Sequence, residues 1–361
     1  MTAASFLSEL TRRRHRVLAF VDLVQDIDVM LPVLLAIRDQ PDLELRTCVS
    51  RWLSQESPRT AEVLAAHGLP FAYVRRRDVI EGRAPSLRGL KAVVTASEST
   101  HLAHVAGHAL ARRADAAGLG AYTLQHGLEN AGLFGAEAAL ARFASTTVFC
   151  WFPPEAIPDD LPQATRAKLV HVGRPEPPAE PSPAPARAHD LGVFENLHWE
   201  RYADADRAAF RAGVAAVARA LPGTRILVRA HPAGGWADQL GQELAAFGNI
   251  TLQTALDARL QPESGAAVLR GLSRVITTPS TIALDAAAAG APVALAAPGG
   301  GAYDPLPVLH GPEDWVSFAA GGPYDPRTLD QFRSRVLVAG NGAPRIAGRL
   351  SRDFARQSPQ L

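Results

Sequence analysis

Only two cysteines occur in 361 residues, Cys48 and Cys150, and each lies in an apolar, strand-like run. So sparse a supply excludes a disulfide scaffold or a cysteine metal centre, and both thiols are expected to be buried and reduced. An excess of charge of either sign is also missing, since 37 lysines and arginines face 36 aspartates and glutamates. That balance leaves no overall electrostatic footprint for nucleic acid, and no nucleic-acid partner is expected. No run approaches the ~20 consecutive apolar residues of a transmembrane helix. Arg12-Arg13-Arg14 precede a first apolar strand too short for a signal peptide's core. A cytoplasmic protein is expected, with peripheral contact to the inner membrane or to a biosynthetic complex compatible with that.

What is present is ample core material: 47% of residues are hydrophobic and 20% charged, enough for two domains of about 150 residues each. Residues 16–23, 43–49, 71–74, 92–95, 121–124 and 146–149 read as strands. They alternate with helical stretches at 27–37, 57–67 and 99–117, a pattern that predicts a doubly wound parallel sheet. Residues 174–189 are proline-dense and read as a semi-rigid linker. A second series follows, with strands near 190–194, 225–229, 250–253 and 274–277 and helices over 203–220, 236–247 and 263–272. The expected fold class is therefore α/β, two tandem Rossmann-like domains. The expected boundaries are 1–173 for an acceptor domain, 190–325 for a nucleotide-donor domain and 326–361 for a C-terminal helical segment. In such sheets ligands sit beyond the carboxyl ends of the strands, here in a cleft between the halves.

Three stretches fall at predicted strand ends. Residues 274–297 read as strand, hydroxyl-rich turn (Thr277-Thr278-Pro279-Ser280-Thr281), alanine-rich helix, glycine stop at Gly290 and strand. Ser280 or Thr281 is suited to cap that helix, whose exposed N–H groups would favour a phosphate. Strand 225–229 runs into Ala230-His231-Pro232, with Arg229 as a neighbouring phosphate or carboxylate partner. In the first half, Gln125-His126-Gly127 ends another strand. An imidazole there suits a general base, and Gly127 lets the backbone approach a ligand. Ser97 and Glu98 at the start of the 99–117 helix are expected on the acceptor side of the cleft. Glu195, Asn196 and His198 follow the first strand of the second half and are candidates to line its donor side. His101, His104 and His108 are placed by a helical wheel on the solvent face, so no metal site is expected from them. The glycine triplet 299–301 reads as a mobile loop near the donor.

Together these stretches resemble the GT-B glycosyltransferases of bacterial surface-polysaccharide and teichoic-acid synthesis. The matching residues are His231-Pro232, the turn Thr277–Thr281 with Thr278, Ser280 and Thr281, and Asp285 on the following helix. The resemblance implies that the histidine and hydroxyls hold the donor's nucleotide and phosphates and that Asp285 holds the ribose. Gln125-His126-Gly127 is similar to the His-Gly motif of the glycerophosphotransferase members, which implies His126 as the base. Gly173-Arg174-Pro175 resembles their crossover turn, with Arg174 within reach of a phosphate. The acid pair of the similar bacterial sialyltransferases is missing before the glycine. No Asp-x-Asp motif of the GT-A type is read, and no metal or other cofactor is expected to be required. The implied donor is a CMP-, CDP- or UDP-linked sugar, and the implied acceptor a hydroxyl of a glycan or lipid-linked glycan. The alternatives are polyol-phosphate transfer, a nucleotide-sugar epimerase of the same fold, and a non-catalytic nucleotide-binding scaffold.

Overall fold

The computed structural model describes residues 14–130, 132–133, 142–177, 189–261 and 264–357. The chain divides into two compact units. One comprises Met1–His126, Asn130–Pro178 and Leu337–Leu361; the other comprises Gly127–Glu129 and Ala179–Val336. Of the expected linker, residues 178–188 lie outside the described residues, as do Arg12 and Arg13.

In the first unit the apolar runs form β1 (His15–Val21), β2 (Leu43–Ser50), β3 (Phe71–Val74), β4 (Ala92–Thr95), β5 (Gly120–Leu124), β6 (Thr147–Cys150) and β7 (Leu169–His171). All pairings are parallel, in the order β3-β2-β1-β4-β5-β6-β7. Strand β7 has no counterpart in the sequence reading, because three residues carry no periodicity. Residues Val17 to Val21 are at most 4% exposed, as a strand covered on both faces requires. Helices α1 (Asp26–Arg38) and α2 (Val105–Ala116) flank this sheet. The helix expected over 57–67 is Arg59–Ala66, and a further short helix, Arg51–Glu56, precedes it. The break falls at Ser57, held extended (φ −151°, ψ 110°) by the proline that follows it. Both cysteines are free and buried.

The second unit repeats the plan with β8 (Leu191–Phe194), β9 (Ile226–Arg229), β10 (Ile250–Gln253), β11 (Arg274–Thr277) and β12 (Val293–Leu295). These are parallel in the order β10-β9-β8-β11-β12. Its helices include α3 (Asp204–Ala220), α4 (Ile282–Ala288), α5 (Pro312–Ala319) and α6 (Arg327–Val336). Gly290, at φ +72°, ends α4 as the glycine stop predicts. The core joins α3 to α5 through Phe210, whose ring meets Trp236 and Trp315 edge-on at 5.8 and 5.5 Å.

The C-terminal stretch 326–361 is two helices in different units: α6 lies in the second, and α7 (Gly342–Gln357) returns to the first. There the segment before α7 braces the crossover turn. Gly173 adopts φ +81°, and a Cβ on it would lie 2.6 Å from the Val338 carbonyl oxygen. In each sheet the strand order reverses at one point, between β1 and β4 and between β8 and β11. The loops leaving those strands are where an open α/β sheet holds ligands.

Candidate functional site

In the first unit the loops after β1, β4 and β5 converge. Ser97 Oγ lies 2.5 Å from Asp26 Oδ1, and Asp26 also accepts the amides of Asp22 and Leu23. Burial pushes the Asp26 carboxyl up to about 6. Glu98 is fully buried and accepts the Ala144 and Ser145 amides at 2.8 and 3.1 Å, while His108 Nδ1 lies 2.6 Å away. Ser97 and Glu98 are therefore tie points of the fold, which corrects their expected acceptor-facing placement. Gln125 is corrected likewise: it is buried, and its Oε1 accepts the Trp151 amide at 2.8 Å.

The histidines also depart from the helical wheel. A 3₁₀ turn spans Leu102–His104 before α2 begins, which shifts the phase of the side chains. Leu102 is 84% exposed whereas His104 is 6% exposed, the reverse of the wheel's assignment. His104 Nδ1 lies 2.7 Å from Ser99 Oγ, and its ring stands edge-on to His126 at 5.2 Å.

His126 is the residue with chemistry to spare. Its backbone N–H donates to Asn130 Oδ1 at 3.0 Å, which fixes the turn. Its ring hydrogen-bonds the Ala96 carbonyl, while Nδ1 is buried without a partner. That pairing assigns the ring proton to Nε2 and leaves the lone pair on Nδ1. Burial holds the imidazole neutral, its pKa lowered to about 4. A second cluster near the same loops escaped the sequence reading: Arg76 lies 3.0 Å from Asp22 and 4.9 Å from the centroid of the Trp52 ring.

In the second unit the switch point is bridged by Asn196. Its backbone N–H donates to Thr278 Oγ1 at 3.0 Å and its Nδ2 to the Pro279 carbonyl at 2.9 Å, while Oδ1 is buried without a partner. Glu195 is structural, accepting the Leu197 and Ala237 amides. Thr277 Oγ1 donates to the Thr278 carbonyl and lies 3.1 Å from Ser280 Oγ. Thr281 occupies the N-cap of α4 without a capping bond. Its hydroxyl accepts the Leu128 amide at 3.0 Å, and Ser280 Oγ accepts the Ile282 amide instead. Gly127 belongs beside that hydroxyl, where a Cβ would lie 3.0 Å from Thr281 Oγ1. Asp285 is half-buried one turn into α4.

His231 Nδ1 accepts the Ala233 amide at 3.1 Å, so the loop locks the ring before Pro232. Its ring lies 5.0 Å from that of His198. Both His198 nitrogens are buried without partners, and a Cβ on Gly234 would fall 2.0 Å from its Cγ. Burial lowers His231 to about 3 and His198 to about 4. A pocket of about 500 Å³ opens beside His198, lined by Asp204, Arg207, Gly235, Trp236 and Gln239. Arg229 is not brought to this group, because its guanidinium donates to Gln253 and Gln261 at 3.2 Å each. Arg174, in the first unit, stacks on Trp151 at 5.3 Å. Of the glycine triplet 299–301, Gly301 opens a 3₁₀ turn, Gly301–Tyr303, in which Tyr303 is buried.

Two Asp-x-Asp triplets do occur, Asp26-Ile27-Asp28 and Asp204-Ala205-Asp206, against the sequence reading. Asp28 pairs with Arg59 and Asp204 with Arg207, and Asp206 accepts the Ala203 amide. Among the described residues no group of three histidine, cysteine or carboxylate side chains has metal-holding geometry. No helix among them is long and apolar enough to cross a membrane.

The neutral histidines set a pH dependence. His104, His126, His198 and His231 all have native pKa values lowered from 6.5, to between about 2 and 4. Between pH 6.5 and 4 the unfolded chain therefore binds protons at these sites that the native state does not, so stability falls as pH falls. Burial raises the carboxyls of Asp22, Asp26, Glu129 and Glu195, which act oppositely, but Asp26 does so only below about pH 6, after the histidines' loss has begun at 6.5. The thermal midpoint is expected to be lower at pH 5 than at pH 7; an equal or higher value would contradict the neutral burial of these rings.

No family model matches the chain, and no curated protein matches it in sequence. Its fold is nevertheless shared with solved structures. The S. aureus MnaA–UDP co-structure matches at 13% identity with a TM-score of 0.64, covering 94% of this chain and 97% of that one. A UDP-GlcNAc 2-epimerase of Methanocaldococcus jannaschii, in complex with UDP-GlcNAc and UDP, matches at 11% identity and a TM-score of 0.60, covering 93% and 99%. The kitacinnamycin glycotransferase matches at 12% identity and 0.58, covering 94% and 99%. At these identities the likeness is one of fold, and two parallel Rossmann-like sheets in tandem make this chain a GT-B-fold protein.

Proposed function

We propose that the chain is a nucleotide-sugar enzyme that transfers a sugar, or a polyol phosphate, from a nucleotide donor to an acceptor hydroxyl. The observation that carries the reading is the bare Nδ1 of neutral His126. That lone pair takes the hydroxyl proton as the acceptor oxygen bonds to the anomeric carbon or phosphorus, and the bond to the leaving nucleotide breaks with its electrons on the phosphate oxygen. In this scheme His231, Ser280 and Thr281 hold the donor phosphates and Asp285 the ribose. The UDP-bound structures of the same fold support a nucleotide donor. They also favour a second reading, a nucleotide-sugar epimerase, and do so more directly than they favour transfer. Against it, inverting a sugar carbon by proton exchange needs one group to remove a proton and another to return it. Near His126 the carboxylate and amide of Glu98 and Gln125 are committed to backbone amides.

One experiment decides between them. Incubation with UDP-GlcNAc or a CDP-linked donor, with and without glycan acceptors, is followed by NMR. Transfer releases nucleotide only when an acceptor is present, whereas an epimer formed from the donor alone would overturn the transferase reading.

A further inference from the structure

We infer that Arg201 is a ligand of the donor phosphates held in reserve by Glu129, so that an incoming phosphate displaces the Glu129 carboxylate from its guanidinium. The inference rests on the nucleotide-donor reading above and adds to it a residue pair that no motif marks.

Arg201 follows β8 by a short loop and reaches the hydroxyl turn. One of its Nη atoms donates to the Tyr202 hydroxyl at 3.0 Å and to the Pro279 carbonyl at 3.3 Å. Pro279 sits between Thr278 and Ser280, so the guanidinium is fixed at the turn assigned to the phosphates. The other Nη lies 2.5 Å from Glu129 Oε2. The ring of Tyr202 lies beneath it, with the guanidinium carbon 4.8 Å from the ring centroid. The cation is thus anchored on two sides, and its remaining donors face a carboxylate.

The Arg201 and Glu129 side chains are 38% and 26% exposed, so a solute can reach both. An ion pair this open to solvent contributes little net stability. A phosphate carries more charge than a carboxylate and matches the guanidinium fork in two parallel hydrogen bonds. Exchange of one anion for the other is therefore favourable, and Glu129 acts as a competitor. The displaced carboxylate stays beside Tyr303, and burial already raises its pKa. Without Arg201 it can take up a proton instead of standing as an unpaired charge.

Isothermal titration of the full chain with UDP, CDP and inorganic pyrophosphate tests this. Arg201→Ala is expected to weaken binding of whichever of these binds by about 10- to 100-fold, with Arg201→Lys intermediate because a point charge lacks the fork. Glu129→Gln removes the competitor while keeping the shape, and is expected to tighten binding by about 3- to 10-fold. The gain should vanish in the Arg201→Ala background. Wild-type binding with Glu129→Gln unchanged or weaker would overturn the inference alone. Absence of binding to the wild type would overturn the nucleotide reading and the inference with it. Thermal midpoints show that each variant is folded, and the Lys variant carries the test if the Ala variant is not.

Discussion

Replacing His126 with alanine is expected to lower turnover by about 10²- to 10⁴-fold while leaving nucleotide affinity within a factor of about two. The asymmetry follows from where the lone pair lies. Nδ1 has no protein partner, so its loss disturbs no internal hydrogen bond, and the Ala96 carbonyl that meets the ring still accepts from Thr123 Oγ1 at 3.4 Å. His126→Asn keeps a polar group of similar reach but no base at neutral pH, and should be as inactive as alanine. His231→Ala is expected to show the reverse pattern, with nucleotide affinity lost first. The pH profile supplies an independent check. The free imidazole titrates near 4, so kcat/KM should be flat from pH 7 down to about 5 and fall as pH approaches 4. Turnover by the His126→Ala protein comparable to wild type would remove His126 from the chemistry.

The parts of this molecule legible in its sequence are those where one residue decides a local geometry. Gly290 closes α4 at positive φ, Gly173 turns where Val338 and Gly340 leave no room for a side chain, and buried β-branched runs become parallel strands. The placement of His126 and His231 just after strands is legible because a strand end followed by glycine or proline confines the backbone. The residues misread were polar groups whose partners are distant in sequence. Nothing near Glu98 indicates that its carboxylate will satisfy the amides of Ala144 and Ser145, and nothing near Gln125 indicates Trp151. A strand-end polar residue can serve a ligand or a neighbouring loop, and only the fold chooses. The wheel misplaces His104 because residues 102–104 form a 3₁₀ turn rather than the first turn of α2, which leaves Leu102 exposed and His104 buried. Arg201 and Glu129 carry no spacing signature at all.

The second large effect concerns packing and is independent of any assignment of chemistry. Gly213 sits in the interior of α3, where glycine costs about 1 kcal/mol relative to alanine. Alanine should therefore stabilise an exposed site in this helix, but here the sign reverses. A Cβ on Gly213 would lie 2.4 Å from Cδ2 and Cε2 of Trp315, well inside van der Waals contact. Trp315 is 2% exposed and its ring is met edge-on by Phe210, so it has little room to withdraw. Relief requires moving α5 off α3, the kind of overpacking that typically costs 1–3 kcal/mol or more. Gly213→Ala is expected to lower the thermal midpoint by roughly 3–10 °C, and Gly213→Val by more, since its branched methyls meet the same ring. Gly223→Ala is the matched control, because nothing lies within 4 Å of its added Cβ. Its midpoint should stay within about 2 °C of wild type, as an unobstructed surface change does. Combining Gly213→Ala with Trp315→Leu should cost less than the two changes separately, because the smaller side chain makes the space the methyl needs. Simple additivity in that pair would show that Gly213 is not there to admit the indole.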